Sequence, residues 1–341
     1  MKQIRFGLGI ATGTEGLMYP IPYSSAREVV DLSVLAERLG FDSVWGNDHI
    51  QTQEYVFDEF GAYPRYYAPL IELAAIAEHT TNLLLCTALL VLPFRHPVNI
   101  AKELATLDHL SGGRVRLGVG IGAYREEFEA QYGRDAAGVN RGEMLEESIQ
   151  LLNRIFTEDT VTHEGKYYSV RNLKCFPKPV QSPYPFYFGG NSTMSYARVA
   201  KFGTGWLPAG LKLEEMRQAV QQIGCECEKQ GRSLDEIDIA PQFGICIKKT
   251  HEEAHAAYRN SQHYQHSLSL QSTTYKGKDI TNYAERRIVG SPQEVAQRIQ
   301  DYIDAGVTHF AALMFAGNSL EDTKEQMHCF AEEVMPHFKN R

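Results

Sequence analysis

Long hydrophobic runs are absent from this 341-residue chain. No stretch of about 18 apolar residues occurs, so no membrane-spanning helix is expected. The opening residues, MKQIRFGLGIATG, lack the apolar core of a signal peptide. Basic charge is in deficit: 34 Lys and Arg stand against 42 Asp and Glu, a net charge of -8. That excludes the basic face of a nucleic-acid binder and the polybasic segment of a membrane anchor. Cysteine is sparse and scattered, at Cys86, Cys175, Cys225, Cys227, Cys246 and Cys329. Reduced thiols in a cytoplasmic protein are the expectation.

Several catalytic signatures are missing as well. No phosphate-binding P-loop and no G-x-S-x-G elbow occur. Gly118-Val119-Gly120-Ile121-Gly122 brings its third glycine one position too early for a dinucleotide fingerprint. Cys225-Glu226-Cys227 has no second ligand pair for zinc. His251-Glu252-Glu253-Ala254-His255 matches H-E-x-x-H letter for letter, but its setting, KKTHEEAHAAYRN, reads as a solvated helix face. No metal is expected.

What the chain does contain is a repeated alternation of short apolar runs with helical patterns. The runs are 4–10, 42–46, 82–92, 115–122, 185–190, 205–208, 237–247 and 307–315. Helical patterns follow near 25–39, 69–80, 97–110, 141–156, 193–201, 212–230, 250–260 and 319–335. Eight β-then-α units predict a parallel (β/α)8 TIM barrel as one domain over 1–341. Two segments break the rhythm and are expected to be insertions or lids. Residues 157–183 hold the hairpin-like VTHEGKYYSV and a proline-rich run, and 261–288 are polar with little periodicity.

Barrel enzymes carry their chemistry where strands run into the following loops. After strand 1, Glu15 reads as a solvated loop carboxylate. After strand 2 come Asp48 and His49, a carboxylate positioned to orient an imidazole that exchanges protons near neutral pH. After strand 3, Thr87 and Ala88 are small enough for a flat ring to lie against the strand end. After strand 4, Gly120 and Gly122 permit close approach, followed by Tyr124 and Glu127. After strand 5, Gly189, Gly190, Asn191, Ser192 and Ser195 open a helix whose N-terminus suits a phosphate. Arg141 offers a counter-charge. Tyr63, Tyr67 and Trp206 suggest an aromatic-walled substrate pocket.

Taken together, four segments resemble the luciferase-like family of FMN monooxygenases and F420-dependent oxidoreductases. They are AERLGFDSVWGNDHI (36–50), TALLVLPFRHPVNIAKELATLDHLSGGRVRLGVGIGAYREEF (87–128), PKPVQSPYPFYFGGNS (177–192) and VGSPQEVAQRIQDYIDAGVTHF (289–310). The resemblance implies a flavin or deazaflavin ring over the C-terminal face. It implies a non-proline cis peptide at Thr87-Ala88 or Ala88-Leu89. It implies an acid and histidine pair at Asp48-His49 and a phosphate loop at Asn191, Ser192 and Ser195, with Arg141 matching the family's arginine. Ile121 and Gly120 stand where bacterial luciferase carries an arginine and a reactive cysteine, so light emission is not implied.

The first functional expectation is a two-component monooxygenase acting with O2 on a small organic substrate. Reduced FMN would come from a separate reductase, His49 would assist the oxygen or substrate step, and Arg286 or Arg287 would reach inward from a lid over 261–288. The alternative is an F420-dependent dehydrogenase or reductase, with Glu127 as an assisting acid. A non-catalytic flavin-binding barrel is the third. A homodimer packed through the second and third helices is expected, with Leu70 to Ala77 offering an apolar face.

Overall fold

The computed structural model describes residues 3–269 and 282–339. Six strands pair in parallel and in chain order: β1 (Arg5–Ile10), β2 (Ser43–Gly46), β3 (Leu84–Thr87), β4 (Val115–Gly120), β5 (Phe186–Gly189) and β6 (Gly205–Leu207). β7 is made of two pieces, Asp238–Ile239 and Gln242–Ile247. The first pairs with β6 and the second with β8 (His309–Phe315), which returns to β1. The barrel is therefore closed. The break falls at Pro241, which cannot donate to a strand ladder. Around it, the Ala240 and Gln242 amides donate to the Trp206 and Pro208 carbonyls, both at 2.8 Å.

Strands buried on both faces read as near-continuous apolar runs, and β8, His-Phe-Ala-Ala-Leu-Met-Phe, is buried at every position. The surrounding helices are amphipathic and capped. In α1 (Ala26–Arg38), Ser25 and Glu28 form a reciprocal capping box, and Val29, Val30, Leu32, Ser33 and Ala36 turn inward. The other barrel helices are α2 (Pro69–His79), α3 (Pro97–Ser111), α4 (Arg141–Thr157), α5 (Thr193–Phe202), α6 (Leu213–Lys229), α7 (Pro292–Asp304) and α8 (Leu320–Cys329).

The seventh helix differs from the sequence expectation. The helix that follows β7 in the chain, His251–Arg259, belongs to an insertion that also contains the helix Gln262–Ser269 and a short strand, Ile288–Gly290, paired outside β7. The barrel position is taken by α7, with Pro292 in its first turn, a Ser291–Glu294 capping box and buried Val295, Ile299 and Tyr302. Part of the segment expected to be irregular is thus regular. Residues 270–281 of the expected lid lie outside the described residues. In the other insertion, Val161–Glu164 and Ser169–Leu173 form the expected antiparallel hairpin.

The N-terminal end of the barrel interior is closed by a polar network. Asp238 accepts from Arg5 (2.5 Å), Tyr187 (2.8 Å) and Thr308 (2.5 Å). His309, fully buried, bridges Asp238 at 3.3 Å and Ser43 at 2.8 Å, and Trp45 Nε1 donates to Ser43 Oγ. With these groups paired to one another, the open end is the C-terminal face.

Candidate active site

At that face lies a cavity of about 420 Å³. Thr14, Asn47, His49, Tyr124, Gln242, His263, His266 and Arg287 supply its polar wall; Leu17, Met18, Leu89, Leu207 and Met314 supply the apolar one. A second cavity, of about 470 Å³, lies at the opposite end, walled mainly by aliphatic groups such as Ile4, Val220, Leu234 and Ile303. It holds no arrangement of groups suited to catalysis.

β2 delivers His49 to the cavity rim. The imidazole Nδ1 lies 2.8 Å from Oε1 of Glu127, a residue 1% exposed on the helix Arg125–Tyr132 after β4. Because Nδ1 faces this carboxylate, Nε2 is the nitrogen left for a ligand. Gln53 Nε2 donates to the same carboxylate oxygen at 2.7 Å.

Asp48 does not orient His49, which corrects the sequence expectation. Its carboxylate is gripped by both terminal nitrogens of Arg95, at 2.5 and 2.7 Å, and accepts from the Val91 amide at 2.8 Å. The side chain of Asp48 points away from the imidazole to fasten the segment that follows β3. That segment contains the cis peptide Ala88-Leu89. Asn47 Nδ2 donates to the Ala88 carbonyl at 3.0 Å, and Thr87 Oγ1 to the Gly118 carbonyl at 2.7 Å. Thr87 and Ala88 thus build the strand end, and Leu89 presents the apolar surface. A Cβ on Gly120 would sit 2.4 Å from Leu89 Cδ1, and one on Gly189 2.8 Å from it. Those two glycines make room for Leu89.

After β5, Gly190 takes φ +101°, where a Cβ would meet Ser195 Oγ at 2.4 Å. Its carbonyl accepts from Trp206 Nε1 at 2.9 Å, and Asn191 Nδ2 donates to the Ala209 carbonyl at 2.8 Å. Ser192 caps α5 by accepting from the Ser195 amide, and the two hydroxyls lie 3.1 Å apart. Gly190 and Asn191 line the cavity, so this helix start opens onto it.

The comparisons with known proteins follow this geometry. The model of the luciferase-like monooxygenase family matches residues 4–309. The chain belongs to that family. An F420-dependent glucose-6-phosphate dehydrogenase of Amycolatopsis mediterranei (strain U-32) is 30% identical over 328 residues, covering 91% of this chain and 94% of that protein. Among solved structures, a monooxygenase from Streptomyces bottropensis superposes with a TM-score of 0.81 at 23% identity, covering 98% of this chain and 100% of that one. The coenzyme F420-dependent tetrahydromethanopterin reductase of Methanopyrus kandleri gives 0.75 at 22%, covering 99% and 100%. Those two likenesses speak to the fold. The chain is a luciferase-like oxidoreductase.

Other expected residues fall in and out of this luciferase-like site. Tyr124 and Arg287 line the cavity; Arg286 does not. Arg286 binds the Gly210 carbonyl at 2.6 Å and both oxygens of Glu215, tying the insertion to the loop after β6. Arg141 reaches the Ile121 and Gly122 carbonyls, each at 3.1 Å, and so braces the loop after β4. Gly122 lies in that loop beside it, with φ +81°. The aromatic wall is not built as expected. Trp206 is fully buried behind the β5 loop, Tyr67 donates to the Ser24 carbonyl, and Tyr63 stands 70% exposed against Phe57. Glu15 is not solvated but buried, bound by Arg65 and by the Tyr23 and Ser24 amides.

Sequence reasoning placed His263 and His266 in the segment expected to act as a lid, with no part in the chemistry. Both are buried residues of the insertion helix Gln262–Ser269 and both line the cavity. His263 packs so closely on β7 that a Cβ on Gly244 would lie 2.3 Å from its Cε1. Burial first, then Arg287, holds both imidazoles below their usual range, His266 at about 4. Among the described residues, buried Nδ1 of His263 and Oγ1 of Thr14 have no hydrogen-bond partner. Two unsatisfied polar groups on one cavity suit a polar ligand.

The family's cofactors fit these walls. Leu89 offers an apolar surface for a flat ring, and the Gly190–Ser195 turn offers amides and hydroxyls for a phosphate. Among the described residues no cluster of three or more potential metal ligands occurs, and no helix is long and apolar enough to cross a membrane.

Proposed function

We propose that this protein is an F420-dependent dehydrogenase or reductase that moves a hydride between the deazaflavin and a small hydroxyl-bearing or carbonyl substrate. The observation that carries the reading is the cavity-lining His49, its Nδ1 held by a buried carboxylate and its Nε2 left for substrate. Bound F420 supplies the carbon that takes or gives the hydride. In the oxidative direction, Nε2 removes the hydroxyl proton as the hydride leaves the same carbinol, and a carbonyl forms. Glu127 balances the imidazolium charge.

The relative named as F420-dependent supports this choice over a reduced-FMN monooxygenase that consumes O2 with a partner reductase. Glucose 6-phosphate, named for that relative, is the first alcohol to try, and the positive charge of Arg287 on the cavity wall supports trying a phosphate-bearing substrate. The test is anaerobic incubation with oxidised F420 and a panel of sugar phosphates and secondary alcohols. Loss of the cofactor's visible absorbance with one of them, abolished in His49→Asn, supports the reading. Substrate oxygenation with reduced FMN and no F420 turnover contradicts it.

A homodimer through α2 and α3 is part of the same proposal. Ile71 and Leu110 stand 74% and 62% exposed on those helices. A monomeric mass by light scattering at micromolar concentration counts against it.

A further inference from the structure

Gln53 precedes the helix Glu54–Phe60, yet its side chain does not cap it. The side chain is fully buried and turned instead toward the carboxylate that holds His49. We infer that Gln53 and Tyr66 are positioning residues that fix which nitrogen of His49 carries the proton.

The argument runs through three hydrogen bonds. Tyr66 OH donates to Gln53 Oε1 at 2.9 Å. A primary amide with its oxygen so engaged has only N–H groups on its other side. Gln53 Nε2 therefore donates to Glu127 Oε1, at 2.7 Å. His49 Nδ1 approaches the same oxygen at 2.8 Å. An ionised carboxylate only accepts, so the two short contacts are satisfied together when Nδ1 bears the hydrogen. Nε2 is then an unprotonated acceptor on the cavity side, the form a general base needs. Burial first, then Tyr124 and Glu127, pushes the Tyr66 hydroxyl far above its usual range, so it remains a donor.

Among the described residues, the other titratable groups facing His49 are these. Tyr66 and Tyr124 rings lie 5.4 and 5.8 Å from the imidazole. Tyr124 is also raised, chiefly by burial, and stays neutral. Tyr55, hydrogen-bonded to Tyr124 at 3.1 Å, is raised by burial as well. His266, whose charge would repel that of His49, is held down to about 4. Arg287 adds a fixed positive charge on the same cavity, and Asp48 is committed to Arg95. Among the described residues Glu127 is thus the carboxylate that contacts His49; Gln53 Nε2, 3.4 Å from Nδ1, cannot donate to a protonated Nδ1 and gives its hydrogen to Glu127 at 2.7 Å instead.

The catalytic meaning of this tautomer rests on the proposed function; the tautomer itself does not, and the test uses neither cofactor nor substrate. The full chain is labelled with 15N-histidine, and the His49 signals are assigned by their loss in His49→Asn. The parent is expected to show Nδ1 protonated and Nε2 bare at pH 8. In Gln53→Leu the carboxylate is no longer held against Nδ1 by a second donor, and a mixture of the two His49 tautomers is expected at pH 8. Tyr66→Phe shifts the tautomer balance the same way by less and carries the test alone where Gln53→Leu does not fold. Nε2 protonated in the parent, or an unchanged tautomer in folded variants, overturns the inference. Failure to bind F420 overturns the proposed function and leaves this result standing.

Discussion

Nδ1 of His49 and Oε1 of Glu127 meet at 2.8 Å although 78 residues separate them in the chain. The barrel brings the loop after β2 and the helix after β4 together at one mouth, and the buried carboxylate orients the rim imidazole, which is the base in the function proposed above. His49→Asn is expected to lower kcat/KM by roughly 10²–10⁴-fold, the usual worth of a positioned general base. Glu127→Gln keeps the shape and removes the charge, and a smaller loss is expected. Steady-state kinetics with the alcohol that turns over F420 decide this. An effect confined to KM would contradict the assignment.

Asp48 and Arg95 make a second prediction. Their side chains are 1% and 22% exposed, and the pair fastens the segment after β3. Arg95→Met leaves the Asp48 carboxylate without its cation and is expected to cost about 3–5 kcal/mol. Asp48→Asn with Arg95→Met should recover a large part of that. Urea unfolding of the single and double variants measures the difference, and additive losses would show that the two residues act separately.

Gly244 must stay a glycine because His263 lies against it. Gly244→Ala forces the imidazole out of place and should cost about 1–3 kcal/mol. His263→Ala in the same chain should restore most of the thermal stability. No rescue would mean that the backbone, not the imidazole, is the constraint.

Acid should weaken the fold through its buried imidazoles, a loss that Glu72, raised to about 7 by burial, offsets in part. Burial holds His266 down to about 4 and lowers His263 and His309. In the unfolded chain such imidazoles take a proton near about 6.5. Their contribution is therefore full above about pH 6.5 and is lost as pH falls toward 4, by up to about 1.4 kcal/mol per pH unit for each. Melting curves between pH 8 and 4.5 should show this decline, and His266→Gln should flatten it. A melting temperature independent of pH across that range would contradict the burial argument.

The barrel was legible because its strands are short apolar runs separated by amphipathic helices, and strand periodicity survives in one sequence. The seventh helix was misplaced because His251–Arg259 and Pro292–Asp304 are both amphipathic; only packing tells insertion from barrel. His49, Glu127 and the glycines around Leu89 stood out as chemistry-bearing or small residues at strand ends. Asp48 misled because neighbours in sequence are not neighbours in space: Arg95, 47 positions away, claims its carboxylate. Gln53 carried no sequence signal, since a glutamine in a polar loop is ordinary. Trp206 was misassigned because a large aromatic after a strand packs behind a loop as readily as it lines a pocket.

The central claim is the choice of cofactor, and an anaerobic titration of the purified protein tests it most directly. F420 and reduced FMN are each added to separate samples and binding is followed. Saturable, tighter binding of F420 is the result predicted here. Tight binding of reduced FMN with none of F420 would contradict it and return the protein to oxygen-dependent chemistry.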